Sequence, residues 1–293
     1  MPEENIAKYV IFTPARDEEK FIGNVLDSVV NQSWKPLKYV VISDASSDRT
    51  DEIVREYARQ YSFVELVRRE SDMARDFGSK VFAIKEGLSR FDGMDYDFMG
   101  NLDADVSFEP DYFEKLISRM GRNPELGIAG GIICDRIHGK MVPVFIDPEW
   151  SVSGGVQMFR RETFETIGGY TPLSRGGIDA TAEFMTRMHG WKVRTFTDLL
   201  VCHLRPVGAL RGGMVRARCK QGGHEYSLGY HPLFQMARCL SRMRQKPYVV
   251  GGISRFWGYM RCWIRRENHV LPPEVVAHVR KEQMQRLRQK FFG

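Results

Sequence analysis

Asp103 and Asp105 are the residues whose type and spacing most directly suggest chemistry. They close the aromatic-rich run Tyr96-Asp97-Phe98-Met99-Gly100-Asn101-Leu102-Asp103-Ala104-Asp105-Val106, and Pro110 then opens a helix. Side chains at i and i+2 of a strand share a face, so both carboxylates can converge on one object just past the strand end. Held that close, they repel unless a cation lies between them. Hard divalent ions such as Mg2+ and Mn2+ accept this arrangement, taking one or two carboxylates together with substrate phosphates. An ordinary acidic turn has the same short pattern, so the surrounding elements must decide.

Those elements alternate. Tyr9-Val10-Ile11-Phe12-Thr13-Pro14 reads as a β-rich run, followed by a helix over 18–31 with Phe21, Ile22, Val25, Leu26 and Val29 on one stripe. Tyr39-Val40-Val41-Ile42-Ser43 is a second strand ending at Asp44, and Ser47-Asp48-Arg49-Thr50 caps the next helix. A third strand covers 63–67, a helix ends near Leu88, and the strand leading to Asp103 follows. This order predicts an α/β fold, a mostly parallel sheet flanked by helices on both faces. Ligands of such sheets sit at the carboxyl ends of the strands, where Pro14, Asp44 and Asp103 all fall.

Taken together, Thr13-Pro14-Ala15-Arg16-Asp17-Glu18, Val41-Ile42-Ser43-Asp44-Ala45-Ser46-Ser47-Asp48-Arg49-Thr50 and Asn101-Leu102-Asp103-Ala104-Asp105 resemble the three signature blocks of family 2 glycosyltransferases. Gly154-Gly155-Val156-Gln157-Met158-Phe159-Arg160-Arg161 and Ile167-Gly168-Gly169-Tyr170 resemble that family's acceptor-side strand and turn. Gly177-Ile178-Asp179-Ala180, with Arg187 and Gly190-Trp191 downstream, is similar to its Glu-Asp block. The resemblance runs from about Tyr9 to His203. It departs at Ala15-Arg16, where the family usually has Tyr-Asn, and at Ile178, where it has Glu.

The resemblance implies a nucleotide-diphosphate-sugar transferase fold and inverting transfer to a saccharide or lipid-linked acceptor, as in surface polysaccharide or glycolipid synthesis. It makes Asp44 the nucleobase contact, puts the backbone of Pro14 and Ala15 along the nucleotide pocket, and adds Arg16 and Glu18 as neighbours. Asp103 would serve the ribose and the metal's water shell, and Asp105 would coordinate Mg2+ or Mn2+ directly. His203 resembles a histidine that adds a metal contact in related folds; a buried structural histidine is the alternative. Arg75 and Lys80 flank Gly78 where the family has basic residues near the sugar and phosphates. Asp179 is the preferred general base, with Glu183 in reserve one helical turn on. A sugar nucleotidyltransferase and a non-catalytic saccharide- or lipid-binding scaffold are the rival readings. The first usually has a glycine-rich loop where this chain has Pro14-Ala15-Arg16-Asp17.

Composition divides the chain. From Leu204 onward there are 18 Lys/Arg against 4 Asp/Glu, leaving 25 against 33 before it. The expected organisation is a catalytic domain over 1–204 and a basic helical extension over 205–293. The extension's charge suggests substrate phosphates or an anionic membrane surface; nucleic acid is set aside because no zinc-finger, helix-turn-helix or RNA-recognition signature is present. Arg205, Arg211, Arg216, Arg218 and Lys220, with Gly212-Gly213 and Gly222-Gly223, suggest a mobile loop closing over pyrophosphate. The apolar, aromatic stretch 247–264, interrupted by Arg255 and Arg261, suggests a helix at a membrane interface or on a partner. A buried helix with snorkelling arginines is the alternative. Residues 273–292 read as a basic amphipathic helix. Five scattered cysteines, an acidic N-terminus and no apolar run of about 20 residues point to a cytoplasmic protein; the tail's charge and aromatics separately suggest a peripheral place at the inner face of a membrane.

Overall fold

The computed structural model describes residues 7–70, 77–137, 140–143, 148–173, 176–205, 213–244 and 247–292. The chain divides into two compact units, residues 1–174 with 178–207, and residues 175–177 with 208–293.

The first unit is an α/β unit built on one nine-stranded sheet. Strands β1 (Tyr9–Ala15), β2 (Lys38–Asp44), β3 (Val64–Arg69) and β4 (Phe98–Leu102) form its parallel half. The remainder comprises β5 (Val106–Phe108), β6 (Leu126–Ile137), β7 (Lys140–Pro143), β8 (Val156–Arg160) and β9 (Lys192–His203). Across the sheet the order is β3-β2-β1-β4-β8-β6-β9-β5, with β7 paired to β6. The second half is mixed: β8 runs antiparallel to β4 and β6, β5 runs antiparallel to β9, and only β6 with β9 is parallel. The expected parallel sheet therefore describes the nucleotide side, and the hairpin-like returns of the other half make the whole sheet mixed.

Strands β1 and β2 are nearly continuous buried apolar runs, as a sheet covered on both faces requires. Helix α1 (Ile22–Val30) buries Ile22, Val25, Leu26 and Val29, the stripe its spacing predicts, but it starts later than expected because Glu18–Phe21 forms a turn. Helices α2 (Thr50–Gln60), α3 (Phe77–Leu88), α4 (Tyr112–Arg122), α5 (Arg161–Thr166) and α6 (Ile178–Met188) complete the unit.

In the second unit the helices are α7 (Met214–Ser227), α8 (Pro232–Ser241), α9 (Tyr248–Ile264) and α10 (Pro273–Phe292). Arg216, Arg218, Lys220 and Gly222-Gly223 lie within α7. They are helical rather than part of the expected mobile loop; Arg211 and Gly212 lie outside the described residues. The glycines of α7 serve packing: a Cβ on Gly222 would lie 1.8 Å from the Arg255 carbonyl oxygen of α9, and one on Gly258 would lie 1.9 Å from that of Cys219. Backbone meets backbone there, which only glycine permits.

Candidate active site

Because β2, β1 and β4 are parallel neighbours, their carboxyl ends share one edge. Ala15 pairs with Ser43, and Phe12 with Asn101, so the residues that follow each strand emerge side by side. The loops there are locked together. Asp17 and Ala45 both adopt positive φ, near 56° and 52°. For Ala45 this is a strained conformation that the surrounding contacts must hold. Asp17 Oδ1 accepts from the Ser47 amide at 2.8 Å, and the Glu18 amide donates to Thr50 Oγ1 at 2.8 Å.

Asp44 is buried at the end of β2 between two cations, 3.2 Å from Arg69 and 3.7 Å from Arg16. Arg69 also reaches Glu86 at 2.9 Å. Pro14 and Ala15 end β1 alongside.

A second cluster lies beyond β4. Asp105 precedes β5, whose Val106 pairs with His203 at the end of β9, and Asp135 of β6 is in register with His203 from the other side. The sheet order thus puts one carboxylate on each side of the imidazole. His203 Nε2 is 3.5 Å from Asp105 Oδ2, and Nδ1 is 3.6 Å from Asp135 Oδ1. Arg205 completes the group, with Nε 2.9 Å from Asp105 and Nη2 2.5 Å from Glu18. Burial works against ionisation of Asp105, but His203 and Arg205 together hold its carboxyl below the usual range. The Asp105 contact raises the His203 pKa against the effect of its burial. Burial raises Glu18, with Asp105 and Asp103 adding to it and Arg205 opposing.

Asp103 and Asp179 are brought to adjacent residues. The Asp103 amide donates to the Gly155 carbonyl at 3.0 Å. A Cβ on Gly155 would lie 2.8 Å from Asp103 Oδ2, and one on Gly154 would lie 2.7 Å from Asp179 Oδ2. Two successive glycines therefore lie directly against two carboxylates that are 76 positions apart in the sequence. Asn101 Nδ2 donates to the Gly154 carbonyl at 3.1 Å and to the Tyr170 hydroxyl at 3.0 Å, and that hydroxyl donates to Gln157 at 2.8 Å.

Asp179 is half-buried in the first turn of α6. Glu183 is different: 3% exposed, it accepts from the Val152 amide at 2.6 Å and from Ser151 Oγ at 3.3 Å, and Arg187 lies 3.3 Å away. Burial outweighs these partners and pushes its pKa up to about 7. Its oxygens hold the 151–152 segment, so Glu183 is enclosed where Asp179 is half-buried. Arg75 lies outside the described residues, and Lys80 lies in α3 with its side chain outside them.

The donor set around Asp105 is oxygen-rich with one imidazole, the chemistry of Mg2+ or Mn2+ rather than of a thiophilic ion. Among the described residues no group of three or more His, Cys, Asp or Glu side chains is placed to hold a metal ion, so protein ligands here would have to be completed by substrate phosphates or water. His203 Nδ1 and Asp135 Oδ1 are buried without a hydrogen-bond partner, so this pocket holds polar atoms with bonding capacity in reserve. Asp135 and Arg205 join the group only in the folded chain. Asp135 carries no local signal in the sequence, and Arg205 falls by composition with the basic extension.

Solved structures identify this architecture as the nucleotide-sugar transferase fold. A mannosyltransferase from Pyrobaculum calidifontis, solved with GDP-Man and Mn2+, superposes with a TM-score of 0.57 at 17% identity, covering 96% of this chain and 80% of its own. TarS 1-349 of S. aureus in complex with UDP-GlcNAc gives 0.55 at 13% identity, covering 93% and 78%. The sequence model of glycosyl transferase family 2 matches residues 10–171, and the chain belongs to that family. Among curated relatives, a beta-monoglucosyldiacylglycerol synthase of Synechocystis is 23% identical over 241 residues, 75% of this chain and 48% of its own. A poly-beta-1,6-N-acetyl-D-glucosamine synthase of Staphylococcus epidermidis is 28% identical over 232 residues, 72% and 53% respectively. The chain spans about half the length of these two relatives.

Proposed function

We propose that this chain transfers a sugar, with inversion at the anomeric carbon, from a nucleotide-diphosphate donor to a saccharide or lipid-linked acceptor. The observation that carries this reading is the pair of adjacent glycines seated against Asp103 and Asp179. A ribose- and metal-side carboxylate and a free-standing base then border one short segment. Asp44, steadied by Arg16 and Arg69, accepts a hydrogen bond from the nucleobase. Asp103 serves the ribose, while Glu18 and the backbone of Pro14 and Ala15 line the same pocket. Asp105, with Asp103 and His203, would hold Mg2+ or Mn2+, which when bound offsets the charge growing on the departing diphosphate. Asp179 takes the proton from the acceptor hydroxyl as its oxygen attacks. With one such base and no second carboxylate assigned as nucleophile, direct displacement follows. A glycolipid synthase and a polysaccharide synthase among the relatives support the two acceptor classes.

The test is sugar transfer or donor hydrolysis by purified protein across UDP-, GDP- and CMP-sugars, with and without Mn2+. Asp105→Ala should lose roughly 10²–10³-fold in rate, as expected when a transition-state charge loses its stabiliser. Asp179→Asn should lose a similar factor while still binding donor. Wild-type turnover in either variant would overturn that residue's role. Consumption of a nucleoside triphosphate with pyrophosphate release would favour a nucleotidyltransferase instead.

A further inference from the structure

Two helices of the helical unit, α8 and α9, turn apolar side chains outward. On α9, Gly251, Gly252, Arg255, Gly258, Tyr259 and Cys262 face inward, and Arg255 is 1% exposed. Val249, Val250, Ile253, Trp257 and Ile264 face outward, with Trp257 59% and Ile264 63% exposed. At 100° per residue the two sets fall on opposite sides of the helix. Helix α8 repeats the inversion, burying Gln235 and Cys239 while exposing Leu233, Met236 and Leu240. Single exposed apolar residues are ordinary, but an ordered apolar stripe marks a surface that something covers.

Charge identifies the occupant. Residues 208–293 carry 17 Lys/Arg and 4 Asp/Glu, a net +13. Arg261, Arg265 and Arg266 are exposed around the C-terminal end of the stripe, and Arg216, Lys220 and Arg244 are exposed elsewhere in the unit. Apolar and tryptophan side chains rimmed by arginine suit the boundary between acyl chains and anionic headgroups. Among the described residues no helix is long and apolar enough to cross a membrane, so the stripe's mode is shallow. We propose that the outward face of α9, with that of α8, docks on an anionic lipid bilayer, Trp257 entering the interface and Arg261, Arg265 and Arg266 meeting the headgroups. This rests on the helical unit alone and not on the assigned reaction.

The experiment uses the full chain with phosphatidylcholine vesicles, with and without phosphatidylglycerol. Wild type should sediment with the anionic vesicles, less at high salt, and its tryptophan emission should be quenched by brominated lipid. An Ile253→Ser/Trp257→Ser variant should lose at least ~10-fold in partitioning, given the apolar area removed, with nucleotide-sugar binding and helical content unchanged. Arg261→Gln/Arg265→Gln/Arg266→Gln should weaken binding several-fold and flatten its salt dependence. Absent vesicle binding by wild type, or equal binding by the serine variant, would overturn the proposal. So would a wild-type dimer that the serine substitutions turn into monomer, since the face would then be covered by a second copy. Loss of donor binding in wild type would count against the assigned reaction without touching this inference.

Discussion

The α/β unit and the helical unit solve opposite problems with the same kinds of residue. In the first, apolar side chains go inward and charge is gathered at strand ends, where Asp44, Asp103, Asp105 and Asp135 border the candidate site. In the second, a charged pair is the centre: Arg255 and Glu225 are both buried and paired, with Nε to Oε2 at 2.7 Å, and Gln235 donates to the same carboxylate at 2.7 Å. Tyr259 and Cys262 pack inside, but Leu233, Met236 and Leu240 of α8 and Val249, Val250, Ile253 and Trp257 of α9 are outside. Gathered charge thus borders the candidate site in one unit and forms an enclosed pair in the other, and the depth of burial tells them apart. Glu225 is 4% exposed and enclosed by Arg255, Arg238 and Gln235, whereas Asp103, Asp105 and Asp135 are only half-buried.

The sharpest way to break this contrast is Arg255→Met. It should destabilise the helical unit by about 3 kcal/mol, because the buried Glu225 then keeps only Gln235 and the more distant Arg238, 3.9 Å away, as partners. Thermal or urea unfolding followed by helical signal would measure it, and adding Glu225→Leu should recover much of the loss. Arg238, Arg255 and Gln235 outweigh burial and hold Glu225 down to about 2. Its folded pKa is depressed, so its stabilisation is present above the ordinary carboxylate range and is lost as pH falls toward 2. A helical unit indifferent to Arg255→Met would mean that the pair is incidental.

A smaller effect belongs to Asp135 in the α/β unit. Carboxylates behind a metal-facing imidazole typically contribute 10–100-fold in metal affinity, so Asp135→Asn should weaken Mn2+ binding by roughly 10-fold, read by titration calorimetry, with the melting temperature unchanged. Unaltered affinity would remove Asp135 and His203 from the metal's surroundings.

Glu183→Gln should have the smallest effect and would sharpen the distinction between base and brace. Because the folded-state pKa of Glu183 is raised to about 7, the fold loses stability as pH rises from the unfolded carboxylate value through about 7. Glutamine should flatten that slope, changing stability near neutrality by about 1 kcal/mol, while transfer falls only a few-fold. A loss as deep as that of Asp179→Asn would restore Glu183 to the chemistry.

The amino-acid order alone was sufficient for whatever rests on local pattern: the alternating elements of the nucleotide half, the strand ends carrying Asp44 and Asp103, the Asp-x-Asp spacing and the family. Asp135, Arg205 and His203 were beyond its reach as a group, because β9 lies between β6 and β5 only once the whole sheet has assembled. The same holds for Glu183 and Asp179, one turn apart on α6, since what packs over each residue, not its spacing, separates the buried carboxyl from the half-buried one. Helix α9 is the clearest case: its periodicity marks two faces, but only the close backbone contact of Gly222 and Gly258 with their opposite helices, and the Arg255–Glu225 pair, turn the apolar face outward.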